Sequence, residues 1–181
     1  MRIISGKYKS RAVKSPNPKF TRPTTDIVKE SIFNMLQNKI DFEGKSVLDI
    51  YAGSGSLGLE ALSRGANEVH FVELNFSVFK ILQSNIKSLD AEKVCRIFKR
   101  SAIKFSELDE HDCYDIIFAD PPFFKDDIHE VYKNILERNF LREHGSFIIE
   151  RSIQTKEKDI EAFKLEPLKK IGDSLIYWYE K

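Results

Sequence analysis

Two clusters of residues in this 181-residue chain carry chemistry by type and spacing. The first is Val47 to Gly58, VLDIYAGSGSLG, where strand positions run into glycines at 53, 55 and 58 and a helical pattern opens at once. Gly53 and Gly55 let backbone turn tightly and approach a ligand, and Gly58 lets the helix pack close to a sheet. The spacing also spells G-x-G-x-x-G, with Glu73 20 residues beyond Gly53, so the glycines alone leave a nicotinamide dinucleotide open. Asp49 weighs against it. A carboxylate at the strand end repels a pyrophosphate but attracts the cationic amino-acid part of S-adenosylmethionine, directly or through water. Glu73, ending the next predicted strand, is placed to accept both ribose hydroxyls of an adenosine.

The second cluster is Asp120-Pro121-Pro122-Phe123, which follows the apolar run YDIIFA. Two prolines remove two backbone donors and restrict φ, so the loop presents carbonyl oxygens and a carboxylate in a fixed array. An array made only of acceptors suits an amino group. The exocyclic nitrogen of a base is conjugated with its ring and is a poor nucleophile. Hydrogen bonds from its two hydrogens to Asp120 and the Pro121 carbonyl favour a pyramidal nitrogen whose lone pair faces a sulfonium methyl. Phe123 offers a stacking face for the base, worth roughly 1–3 kcal/mol.

These positions need strand ends to hold them, and the pattern supplies strands. From Lys45 onward strands and helices alternate: strand 46–50, helix 56–64 closed by Gly65, strand 69–73, helix 76–89, strand 94–98 and a short helix near 102–108. Strand 114–119, helix 127–138 and strand 146–150 follow. Such alternation predicts an α/β fold, Rossmann-like, with a mostly parallel sheet and helices on both faces. Residues 160–168 and 174–180, separated by Gly172-Asp173, read as a C-terminal antiparallel hairpin that completes seven strands. Ahead of the body, residues 2–14 read as a small basic hairpin turning near Gly6 to Ser10. Thr24 or Thr25 then caps a helix with Ile27, Val28, Ile32, Met35 and Leu36 on one face.

The net charge of +1 hides a segregation. Residues 1–25 hold seven basic side chains, Arg2, Lys7, Lys9, Arg11, Lys14, Lys19 and Arg22, and no acid, which leaves 22 basic against 28 acidic residues in the remainder. A basic arm on an acidic body points to a polyanion, nucleic acid before others. Its alternating Ile3, Ile4, Tyr8 and Val13 argue for a folded arm over a frayed tail. Cys95 and Cys113 match no metal box and read as reduced core residues, and no apolar run is long enough to span a membrane. The expectation is a soluble, cytoplasmic protein with no metal and no membrane partner.

Asp49-x-x-x-Gly53-x-Gly55 followed by Asp-Pro-Pro-Phe resembles the Rossmann-like class I S-adenosylmethionine-dependent amino-methyltransferases. With MRIISGKYKSRAV, TRPTTDIVKESIFNML and DIYAGSGSLGLEALSRGA, nearly the whole chain is similar to the RsmD family of bacterial 16S ribosomal RNA guanine-N2 methyltransferases. The resemblance implies cofactor contacts at Asp49, Ala52, Gly53, Ser54, Gly55, Glu73 and Leu74, and amine recognition by Asp120, Pro121, Pro122 and Phe123. Arg2, Lys7, Arg11, Arg22 and Thr24 fall to an RNA-facing arm. Many relatives of this fold hold the adenine with Asp or Asn after the third strand; here Arg100-Ser101-Ala102 stands there, so Ser101 or the Ala102 backbone must serve. The implied organisation is an RNA-binding arm and helix over residues 1–43 and a methyltransferase domain over 44–181. The implied product is S-adenosylhomocysteine. The implied partner of this monomer is 16S rRNA, within the small subunit or an assembly intermediate. An adenine-N6 methyltransferase, a nicotinamide oxidoreductase and a catalytically idle RNA-binding module are the rival readings.

Overall fold

The computed structural model describes residues 1–16, 26–122 and 126–181. Arg22, the capping Thr24 and Thr25, and Phe123 lie outside the described residues. In chain order the elements are α1 (Asp26–Leu36), β1 (Ser46–Asp49), α2 (Ser56–Ser63), β2 (Glu68–Val72), α3 (Phe76–Ser88), β3 (Cys95–Phe98) and α4 (Ala102–Ser106). Then follow β4 (Tyr114–Ala119), α5 (Asp127–Glu137), β5 (Leu141–Ser152), α6 (Lys156–Phe163), β6 (Lys169–Ile171) and β7 (Ser174–Glu180).

The seven strands form one sheet in the order β3-β2-β1-β4-β5-β7-β6. β1 to β5 pair in parallel, and β7 runs antiparallel between β5 and β6. β1 and β4 are buried nearly throughout because central parallel strands are covered on both faces. On one face Val47, Val69, Phe71, Ile116 and Phe118 pack with Leu59 and Leu62 of α2, Leu82 and Ile86 of α3, Ile32 and Phe33 of α1, and Ile3 and Val13 of the arm. On the other, Leu48, Val72 and Ile117 pack with Phe105 of α4, Ile128 and Val131 of α5 and Phe163 of α6. Every residue of α2 is buried, and a Cβ on Gly58 would stand 2.4 Å from Phe71 Cε1 and 2.8 Å from Val69 Cγ1. The missing side chain sets the helix-to-sheet distance.

The arm is a hairpin as expected. Arg2 bridges Ala12, and the Ile3 and Ser10 N–H groups donate to the Arg11 and Ile3 carbonyls at 3.0 and 2.8 Å. Four readings need correction. Cys113 is exposed and Cys95 only half-buried, so the two are not core residues: Cys113 stands just ahead of β4 and Cys95 opens the edge strand β3. Residues 160–168 form no strand: α6 occupies Lys156–Phe163, turned inward at Asp159 and Phe163 one helical turn apart, and the hairpin partner that precedes β7 is the short Lys169–Ile171. β5 begins at Leu141, five residues earlier than read, because exposed Arg142, Glu143 and His144 interrupt its apolar pattern at an irregular register with β4. On α1 it is Phe33, fully buried, that joins Val28, Ile32 and Leu36, whereas Ile27 is 73% exposed.

Candidate active site

Strand order reverses between β1 and β4, and a doubly wound sheet binds ligand at that point, beyond the carboxyl ends of its strands. Asp49 ends β1, Glu73 follows β2, Ser101 follows β3 and Asp120 follows β4, so the topology brings four separated sequence positions to one rim. A polar cleft of about 570 Å³, lined by Glu68, His70, Cys95, Arg96 and Asp112, opens at the amino ends of β2 and β3, away from every motif.

The glycine loop bends back on itself, with the Gly55 N–H donating to the Ala52 carbonyl at 2.7 Å. Gly53 and Gly55 have φ of +54° and +83°, where a side chain is strained. A Cβ on Gly55 would meet Leu82 Cδ1 at 2.5 Å, whereas beside Gly53 the nearest atom is the Tyr51 carbonyl at 4.0 Å. Gly55 is thus required by packing, and Gly53 leaves open space over the loop.

Glu73 ties this loop to the next. Its Oε2 accepts from the Gly53 N–H at 3.0 Å and its Oε1 from the Asn75 N–H at 2.6 Å. Burial raises its pKa, and the backbone donors of Asn75, Gly53 and Leu74 oppose that rise. Each oxygen keeps a further lone pair, the requirement for accepting a ribose diol. Leu74, 58% exposed, supplies apolar surface beside it. Ser101 is the N-cap of α4 and accepts from the Lys104 N–H at 3.2 Å, and Ala102 opens that helix.

Asp49 is 1% exposed and accepts from the Gly58 N–H at 3.0 Å. Burial pushes its pKa up to about 7; the Gly58 N–H opposes this, and the charges of Asp120 and Glu73 add to it. Three carboxylates converge within electrostatic reach of one loop. Such a cluster is relieved by a cation, and the donor set fits an adenosyl sulfonium better than a dinucleotide: open space at Gly53, a diol acceptor at Glu73, negative potential between them. Asp120 is half-buried, Pro121 buried and Pro122 exposed.

Where β5 meets α6, Arg151 Nε lies 3.1 and 3.0 Å from the two oxygens of Asp159, both residues fully buried, and Arg151 Nη2 is 3.9 Å from Asp126 at the start of α5. That network fixes the point where α5 begins. It was not legible in the sequence, because its members are scattered over three elements.

The sequence reading also missed the residues that attach the arm. Glu60 is fully buried in α2; its carboxylate accepts from the Ile4 and Ser5 N–H groups at 2.8 and 3.1 Å and from Arg64 Nε at 2.9 Å. Lys29, also fully buried, stands 3.7 Å from Glu60 and donates to the Arg2 carbonyl at 2.6 Å. An acid in the middle of an otherwise apolar LGLEAL run was the available signal. The arm leaves Arg2, Lys7, Lys9, Arg11 and Lys14 exposed.

The family model described as Conserved hypothetical protein 95 matches residues 1–180. The chain is 34% identical over 152 residues to the Ribosomal RNA small subunit methyltransferase D of Haemophilus influenzae, covering 83% of this chain and 78% of that protein. Among solved structures, a hypothetical protein of Thermus thermophilus superposes with a TM-score of 0.84 at 23% identity, over 100% of this chain and 99% of that one. The fold is also that of the T. thermophilus 16S rRNA N2 G1207 methyltransferase RsmC, solved with AdoMet and guanosine. There the TM-score is 0.70 at 24% identity, over 90% of this chain and 45% of that one.

Proposed function

The chain belongs to the family described as Conserved hypothetical protein 95, the RsmD family of methyltransferases, and from that premise we propose that it methylates the exocyclic N2 of a guanine in small-subunit 16S ribosomal RNA. The donor is S-adenosylmethionine. The observation that supports the reading is the convergence of Asp49, Glu73 and Asp120 on one rim at the switch point, beside the glycine loop that Glu73 and Asp49 hold through the Gly53 and Gly58 N–H groups. The Haemophilus relative named for ribosomal RNA supports the substrate, and the guanosine-bound RsmC shares the fold that would present it.

When bound, S-adenosylmethionine supplies an electrophilic sulfonium methyl. Glu73 would accept the ribose hydroxyls, Leu74 and Ala52 would line the adenosine, and the Ser101 hydroxyl or Ala102 N–H would meet the adenine edge. Asp49, Gly53, Ser54 and Gly55 would face the amino-acid end, where the Asp49 carboxylate offsets positive charge. At the target, the Asp120 carboxylate and Pro121 carbonyl would accept the two N2 hydrogens and hold the nitrogen lone pair in line with the methyl carbon. Pro122 and Phe123 would complete the wall against the base. Positioning of this kind contributes about 7–11 kcal/mol in favourable cases. The target guanine must be unpaired or extruded, since N2 is engaged in a Watson–Crick pair. Arg2, Lys7 and Arg11, with Arg22 and Thr24 beyond them, would grip surrounding phosphates. A ribosomal RNA substrate also makes the cytoplasm the place of action.

The test is incubation of the purified protein with labelled S-adenosylmethionine and small subunits from a strain lacking it, followed by nucleoside mass spectrometry. The expected product is N2-methylguanosine at one position. Label in N6-methyladenosine instead would establish the rival reading, and label in neither would overturn both.

A further inference from the structure

α3 carries no acidic residue, and one of its faces continues the basic arm toward the candidate cofactor rim. At the far end the Arg11 guanidinium hydrogen-bonds the Ser88 carbonyl. One turn earlier Lys14 Nζ donates to Ser84 Oγ at 3.2 Å. A further turn along stands exposed Lys80, its Nζ 5.4 Å from the Phe76 ring centroid, and Phe76 opens the helix. Residues 76, 80, 84 and 88 recur every four positions and so share one face. Together they span about 18 Å at 1.5 Å per residue. Lys99, just past the end of β3, reaches the same ring at 4.9 Å. Phe76 is 56% exposed and Leu74 beside it 58%. No carboxylate among the described residues lies within 4.0 Å of the Arg11, Lys14, Lys80 or Lys99 charges.

We propose that this face of α3 is a track for single-stranded RNA flanking the target nucleotide, with Arg11, Lys14, Lys80 and Lys99 following phosphates and Phe76 stacking on one base. The inference rests on the RNA-methyltransferase reading and adds a surface to it. A row of cations held only by neutral oxygens or a ring is a polyanion site, and an exposed aromatic among them is a face on which a base of a single strand can stack. A duplex keeps its bases stacked internally and cannot use Phe76. The two lysines over the ring are exposed, so a base can take their place there and leave them to its own phosphates.

The experiment measures anisotropy of a labelled short oligouridine on the full chain between about 50 and 200 mM salt, beside calorimetric affinity for S-adenosylmethionine. Phe76→Ala should weaken oligouridine binding about ten-fold with unchanged salt slope, and Phe76→Trp should restore it. Lys80→Gln with Lys99→Gln should flatten the slope of log affinity against log salt by roughly 1.4, or 0.7 per phosphate contact. A duplex of equal length should bind Phe76→Ala and wild type alike. Unchanged affinity and slope in these variants, with loss of binding on Arg2→Gln and Lys7→Gln, would overturn the track and leave the arm's role standing. A Phe76→Ala effect on S-adenosylmethionine alone would assign the ring to the cofactor and overturn it too. Wild-type protein that binds S-adenosylmethionine but no RNA would remove the underlying reading, and the track with it.

Discussion

One buried amide joins the basic arm to the glycine loop: Asn85 Oδ1 accepts from the Lys14 N–H, and its Nδ2 donates to the Lys14 carbonyl and to the Ser54 carbonyl, all at 2.9 Å. Asn85 is 2% exposed; its bond to Ser54 is buried and its two bonds to Lys14 are partly so. The basic arm and the glycine loop therefore rest on the same side chain of α3. Asn85→Ala leaves the Ser54 carbonyl without this partner in a buried setting, and the Lys14 N–H and carbonyl without it in a partly buried one. The expected loss is on the order of 2–3 kcal/mol of unfolding free energy, read from the urea midpoint. Ser84→Ala, which removes only an exposed contact to Lys14, should stay within about 0.5 kcal/mol. Equal stabilities for the two variants would show that the amide does not anchor the arm.

Glu73→Ala should weaken S-adenosylmethionine binding about ten-fold or more, because a charged acceptor of two ribose hydroxyls contributes roughly 1.5–3 kcal/mol. The same variant releases the Gly53 and Asn75 N–H groups, so the loop loosens as well. Glu73→Gln separates these effects: its one remaining acceptor can hold a single loop N–H. Calorimetry that gives wild-type affinity in a folded Glu73→Ala protein would remove the ribose assignment.

The pH dependence follows from Asp49. Its folded pKa of about 7 lies above the ordinary 3.8, so the fold favours the neutral carboxyl. The corresponding stability is complete below the ordinary value and is lost as pH rises through 7. The free protein should thus melt lower at about pH 8 than at about pH 5 through this group, and Asp49→Asn should remove that part of the slope. A cationic ligand reverses the preference. S-adenosylmethionine affinity should rise with pH, by up to about ten-fold per unit, until it levels off above pH 7, with proton release on binding below it. Asp49→Asn should bind weakly and without this pH dependence. Proton-linked calorimetry in buffers of different ionisation enthalpy measures both.

Gly58→Ala places a methyl group where Phe71 Cε1 and Val69 Cγ1 already stand, on a helix buried along its whole length. Overpacking of this kind costs typically about 1–3 kcal/mol, and the thermal midpoint should fall by several degrees. Because α2 carries both the glycine loop and Glu60, cofactor affinity should fall with it. An unchanged melting temperature would mean that α2 can move off the sheet freely.

Much of this was legible in the sequence for a physical reason. Central parallel strands such as VLD and YDIIFA are apolar on both faces, and glycines at positive φ leave a mark no other residue leaves, so the rim with Asp49, Glu73 and Asp120 could be placed in advance. What stayed hidden depends on contacts between distant residues. Glu60 meets Ile4 across 56 positions and Asn85 meets Lys14 across 71, and nothing local in LGLEAL or QSNIK announces either partner. α6 was missed because its charged KEKDIEAF sequence buries only Asp159 and Phe163, too narrow a stripe to set a helical period. The arm itself is less separable than its charge suggested. Ile3 and Val13 are core residues, so substitution of Lys7 and Arg11 is a cleaner test of RNA binding than removal of residues 1–20.

Asp120 gives the sharpest test of the chemical step. It follows β4, apart from the strand ends that carry Asp49 and Glu73, and its negative charge is one reason the Asp49 carboxyl holds its proton. Asp120→Ala should therefore keep S-adenosylmethionine affinity and even raise it slightly near pH 6, since Asp49 ionises more readily once its neighbour is gone. If Asp120 accepts from the target amine in the transition state as proposed, the same change removes that acceptor, and kcat and kcat/KM should fall together. Asp120→Asn retains one acceptor without charge. Partial activity there would favour orientation of the amine, and activity as low as that of Asp120→Ala would favour a role for the charge in taking up the departing proton. Single-turnover methylation of small subunits, beside calorimetry across the same pH range, reads both quantities. Loss of cofactor binding together with rate would move Asp120 into the cofactor site, and a wild-type rate in Asp120→Ala would end the acceptor-array mechanism.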